Sequence, residues 1–89
     1  MKVSYNAHVS GKVQGVRFRA LSQQIAIRYG LSGYARNLAD SDVEVLVCGD
    51  KDKVEQMLIW LEQGPPSANV LHMQRKQVQW QEHNLFAIR

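Results

Sequence analysis

The segment Gly11-Lys12-Val13-Gln14-Gly15-Val16-Arg17-Phe18-Arg19 sets three cations among glycines in the manner of an anion-binding loop. It lies between an alternating stretch and an amphipathic one, so it leaves a strand and enters a helix. The first amides of a helix have no internal partner and carry the positive end of the helix dipole. Gly15 permits the tight curvature that turns successive amides inward, and the result is an anion site. Arg17 and Arg19 stand where sequences ordinarily place Asp or Glu. A cation there opposes the dipole at a cost of about 0.3–1 kcal/mol. An anion arriving between the amides and a guanidinium removes that conflict. The competing reading is a pair of solvated surface arginines, and these residues alone leave both open.

Other kinds of chemistry find no constellation. His8, His72 and His83 are far apart, no Cys–His cluster exists, and no metal-ligand spacing occurs. No nucleophile stands beside a base. The histidines are expected on surface strands or loops, and Cys48 in sheet packing. Trp60 and Trp80 lie off the clearest apolar stripes and receive no role.

Periodicity gives the strands and helices on either side of the loop. Val3, Tyr5, Ala7 and Val9 alternate with polar residues over 2–10, as in a half-buried strand. Phe18, Leu21, Ile25 and Tyr29 recur at helical spacing until Gly30. Leu31–Leu38 predicts a second strand, Ala39-Asp40-Ser41-Asp42 a turn, and Val43–Cys48 a third strand ended by Gly49. Asp50 suits an N-cap, Val54, Met57, Leu58 and Leu61 form the stripe of a second helix, and Gly64-Pro65-Pro66 stops it. Val70 to about Gln77 and Phe86–Ile88 supply the last strands. The order βαββαβ is the ferredoxin-like split βαβ sandwich, an α+β fold with an antiparallel sheet and two helices on one face. Each half is a strand–helix–strand unit, for which a right-handed crossover is expected.

Eighty-nine residues predict one domain, 1–89, that buries roughly 60–65 % of its unfolded surface. That leaves no room for a bulky cofactor. The N-terminus lacks the apolar run of a signal peptide and no stretch is long enough to span a bilayer, while Cys48 is the only cysteine. These features favour a cytoplasmic protein. The charge is uneven: residues 1–39 carry +6 and no carboxylate, and the remainder carries −3. The basic half suits an anionic partner, whether nucleic acid, a phosphorylated metabolite or an acidic protein; chance in a short chain is the other reading.

The two polar motifs narrow this choice. Val9-Ser10-Gly11-Lys12-Val13-Gln14-Gly15-Val16-Arg17-Phe18-Arg19 resembles the first signature of the acylphosphatase family at every characteristic position. Gly33-Tyr34-Ala35-Arg36-Asn37-Leu38-Ala39-Asp40-Ser41-Asp42-Val43 resembles the second, and Gly49 follows in its place. The similarity continues through the second helix to Phe86-Ala87-Ile88-Arg89, nearly the whole chain. The resemblance implies a ferredoxin-like hydrolase of carboxyl phosphates that uses no metal, cofactor or covalent intermediate. It implies a phosphate cradle of Gln14, Gly15, Val16, Arg17, Phe18 and Arg19, with Arg19 binding the phosphate and Asn37 positioning the attacking water. The implied partner is a small acyl phosphate, with inorganic phosphate or sulfate able to fill the loop. The chain is expected to be a monomer with neither nucleic acid nor membrane as partner. Ser41 departs from the pattern, standing where the second signature carries glycine. A side chain there opposes positive φ and predicts a turn of altered shape. Asp40 and Asp42 add negative charge nearby, which Arg17 partly offsets.

An acyl phosphate needs few catalytic groups, because its carboxylate leaving group has a conjugate acid of pKa roughly 4 by analogy with Asp and Glu. Two rivals remain. One is an acylphosphatase-like phosphate-binding or accessory domain without turnover, as within larger carbamoyl-transfer proteins. The other is a nucleic-acid-binding module, which needs exposed aromatics on its central strands; Val43–Cys48 has none and the first strand only Tyr5.

Overall fold

A computed structural model describes residues 1–89. Its elements are β1 (Lys2–Lys12), α1 (Phe18–Arg28), β2 (Ser32–Asn37), β3 (Val43–Asp50), α2 (Lys51–Gln63), β4 (Asn69–Val78) and β5 (Phe86–Ile88). The sheet order is β4-β1-β3-β2-β5. β1 pairs antiparallel with β3 and β4, and β2 antiparallel with β3. β5 runs parallel to β2, so the sheet is mixed and not wholly antiparallel. A three-residue strand with no alternation to display carries no directional signal in sequence.

Strand alternation gives the sheet one apolar face. The register aligns Val9 with Val43, Ala7 with Val45, Ala35 with Val45 and Gly33 with Phe86. The core forms where this face meets Phe18 and Ala26 of α1 and Val54, Met57, Leu58 and Leu61 of α2. Both helices therefore cover the same side of the sheet. Gly33 is required by close approach as well as by its φ of 133°: a Cβ there would lie 1.9 Å from the Leu46 carbonyl oxygen.

Three local expectations change. β3 continues through Gly49 to Asp50, because both residues keep their rungs with β1. Asp50 occupies the N-cap of α2 without a side-chain cap bond, and its carboxylate instead lies 3.6 Å from the amino group of Met1. Trp60 gains a place, packing on Phe18 with ring centroids 6.0 Å apart. Gln81 donates its backbone N–H to Ser4 Oγ at 3.1 Å, and His83 meets the edge of Tyr34. These contacts lay the segment before β5 across the open face of the sheet. No helix is long and apolar enough to cross a membrane.

Candidate active site

The loop between β1 and α1 is anchored at both ends by buried side chains, Val13 and Phe18. Between them the backbone takes two left-handed steps, Gly15 at φ 74° and Arg17 at φ 63°, ψ 23°. A left-handed conformation costs a residue with a Cβ about 1–2 kcal/mol, and such outliers cluster at functional sites. Arg17 is the N-cap of α1 and is followed directly by helix. Left-handed and right-handed residues in succession turn their amides into one concavity, a nest for an anion. The first amide in α1 to find a helical carbonyl is that of Leu21, 2.9 Å from the oxygen of Arg17. The amides of Phe18, Arg19 and Ala20 thus precede the helical ladder.

A cavity of about 330 Å³ opens at this point, lined by Val13, Gly15, Arg17, Phe18, Arg19, Ala20, Asn37 and Ile88. Asn37 arrives from β2 by alternation: Gly33, Ala35 and Asn37 share the helix-facing side of that strand, and β5 places Ile88 beside Ala35. Arg19 is held in place by a hydrogen bond from its Nη1 to the carbonyl oxygen of Arg89, 2.6 Å away. No carboxylate lines the cavity. A larger depression of about 610 Å³ lies at the opposite end of the sheet, by Lys2, Trp80 and Leu85; Asp50 and Glu82 on its rim oppose an anion.

Gly15, Arg17, Phe18 and Arg19 thus meet Asn37 around one space, whereas Gln14 and Val16 are not among the lining residues. The carboxamide of Gln14 is turned to the second motif, donating from Nε2 to the carbonyl oxygens of Leu38 and Asp42, both at 2.9 Å. Val16 packs against the core, and its carbonyl accepts from Ser67 Oγ. Val13, Ala20 and Ile88 join the lining without a polar group or spacing that would have marked them in sequence.

The turn after Asn37 keeps the left-handed step despite its side chain, with Ser41 at φ 76°. Asp40 and Asp42 do not face the cavity. Asp42 Oδ2 lies 2.5 Å from His8 Nε2 and accepts from Ser10 Oγ at 3.0 Å. His8 is therefore engaged with the turn and is not a bare surface histidine. The His8 hydrogen bond holds the Asp42 carboxyl below its ordinary pKa, with Ser10 assisting. Space thus assembles a cluster absent from the linear spacing, His8, Asp40 and Asp42, with ligand atoms within 4.8 Å of one another. Its donors and acceptors already serve the turn, since Asp40 Oδ1 accepts from the Asp42 amide. Cys48 is buried, and burial pushes its thiol pKa up, away from nucleophilic use.

The chain matches the acylphosphatase family model over residues 5–88. It belongs to the acylphosphatase family. An acylphosphatase of Colwellia psychrerythraea (strain 34H) is 64 % identical over 88 residues, covering 99 % of each chain. The structure of an acylphosphatase from Coxiella burnetii superposes with a TM-score of 0.94 at 34 % identity, over 99 % of this chain and 93 % of that one. Full-length HypF, in a phosphate- and nucleotide-bound form, contains a similar fold at a TM-score of 0.88 and 26 % identity, where this chain spans 12 % of the larger one. Family membership makes the chain a hydrolase of acyl phosphates.

Proposed function

We propose that the chain cleaves the carboxyl–phosphate bond by in-line attack of a water held by Asn37 on a phosphate held by Arg19, Arg17 and the loop amides. The convergence of Arg19, Asn37 and the start of α1 on one cavity supports this reading. Phosphoryl transfer passes through a loose transition state with charge on the equatorial oxygens, so catalysis rests on positioning and electrostatics. The guanidinium and amides oppose that charge from fixed places. The water oxygen bonds to phosphorus as the bond from phosphorus to the acyl oxygen breaks and the carboxylate leaves. A carboxamide takes no proton, so the proton of the water passes to a phosphate oxygen of the substrate. The leaving carboxylate needs no general acid. In this reading residues 1–89 act as one cytoplasmic domain and a monomer, with no metal or cofactor.

Hydrolysis of benzoyl phosphate tests it. Arg19→Ala is expected to lose about 10²–10³ in rate, the usual cost of one transition-state donor. Asn37→Ala is expected to lower kcat while inhibition by inorganic phosphate stays near wild type. Rates should survive EDTA. Near-normal turnover of Arg19→Ala would reject the assignment, and a wild type that binds phosphate without turnover would return the accessory-domain reading.

A further inference from the structure

We propose that Asp42 is a positioning residue for the reaction: its side chain, latched to His8 and Ser10, fixes the turn that holds Asn37 over the phosphate loop. This rests on the proposed role of Asn37 as holder of the water. Asn37 pairs with Val43 on the last rung between β2 and β3, and Asp42 is the next residue outward. Five hydrogen bonds converge on this one residue. Its carboxylate takes His8 Nε2 and Ser10 Oγ, both on the open face of β1. Its carbonyl accepts from the Leu38 amide at 2.8 Å and from Gln14 Nε2 at 2.9 Å. Its amide donates to Asp40 Oδ1 at 3.1 Å. Through Gln14 the turn is tied to the phosphate loop, and through the carboxylate it is tied to a central strand of the sheet.

The latch answers a local strain. Ser41 sits at φ 76°, a conformation that persists in a residue with a Cβ only where its surroundings over-determine it. The bonds within the turn are few: the Leu38 amide to the Asp42 carbonyl, the Ser41 amide to the Leu38 carbonyl at 3.3 Å, and the Asp42 amide to Asp40 Oδ1. Asp42 supplies the outside restraint. Without its carboxylate the turn keeps Gln14 and the Val9–Val43 rung but loses the side-chain tie of Asp42 to β1, and the turn beyond Asn37 is left less restrained. The phosphate cradle itself is anchored by the buried Val13 and Phe18 and by the Ser67 bond to Val16, whereas the Asp42 carboxylate bonds to His8 and Ser10. Loss of the latch should therefore act on the water and spare the phosphate.

Steady-state kinetics with benzoyl phosphate, and competitive inhibition by inorganic phosphate, separate the two. Asp42→Ala is expected to lower kcat about 10- to 100-fold, the penalty of a misplacement near 1 Å. The phosphate inhibition constant should stay within about twofold, because the transition-state interaction alone is lost. Asp42→Asn, which still offers a carbonyl to His8 and Ser10, should recover to within about threefold of wild type. His8→Ala should lower kcat by less than Asp42→Ala, and the double variant should lose no more than Asp42→Ala alone. Equal losses in kcat and phosphate affinity, or additive losses in the double variant, would overturn the proposal. Should Asp42→Ala fail to fold, His8→Ala carries the test, since it leaves the carboxylate with Ser10. Asn37→Ala in the same series keeps the two readings apart. Unchanged kcat there rejects the role of Asn37, whereas a fall there with unchanged kcat in Asp42→Ala rejects the latch alone.

Discussion

Gln14 lies inside the first motif, yet its side chain serves the other motif. Both hydrogens of its Nε2 go to carbonyls of the second turn, Leu38 and Asp42. Each such bond contributes about 0.5–1.5 kcal/mol net. Gln14→Ala should therefore destabilise the fold by about 1–3 kcal/mol, read as a lower urea midpoint at unchanged slope. A variant as stable as wild type would show that the two motif loops are not joined through this residue. Nothing in the local sequence separates this use of glutamine from a phosphate contact. Its partners lie 24 and 28 positions away, and only the fold brings them within reach. Arg17 and Arg19 were legible because they break a rule that acts within one helical turn.

At the scale of an element, the turn from Leu38 to Asp42 is where the chain departs from the second signature. Ser41 holds the left-handed conformation that glycine adopts without penalty. The cost to a residue with a Cβ is about 1–2 kcal/mol, offset by the about 0.5–1 kcal/mol of extra backbone entropy glycine surrenders on folding. Ser41→Gly should accordingly raise the unfolding free energy by up to about 1 kcal/mol, measurable in urea. A loss of stability would mean that the serine side chain contributes more than its backbone costs. Ser41 takes the left-handed step despite its side chain, in a turn bonded on both sides by His8 and Ser10 of β1 and by Gln14. Element limits were legible where periodicity was strong, as in both helices. They failed where a single glycine served as the stop signal: Gly49 continues β3 because β1 still supplies partners beyond it.

Across the whole molecule, the start of β3 is bound to its neighbours by carboxylates, and this makes stability depend on acid. Asp42 is held below its ordinary pKa by His8 and Ser10. Burial pushes Glu44 upward, but hydrogen bonds from Asn6 and Arg36 and the charge of Arg36 outweigh it, leaving Glu44 below its ordinary value too. A carboxyl with a depressed folded pKa binds fewer protons folded than unfolded. Its contribution is complete above the unfolded value and is lost as pH falls through the folded one. The urea midpoint should thus be level near neutrality and decline from about pH 5 downward. Asp42→Asn with Glu44→Gln should flatten that decline. An unchanged acid slope in the double variant would place the acid-sensitive groups elsewhere.

Residues close along the chain settled the features that local spacing governs. Those are the alternation of β1 and β3, the apolar stripes of α1 and α2, and a start to α1 marked out by arginines set against the dipole. Such features arise within one or two helical turns or strand repeats, where spacing and local propensity act directly. The tertiary structure decided what depends on residues distant in the chain. It set β5 parallel to β2, brought Ile88 to the cavity, bound the Gln14 side chain to the second turn, and joined His8 to Asp42. Those pairings are selected by how one packed face closes on another, which leaves no period in the sequence.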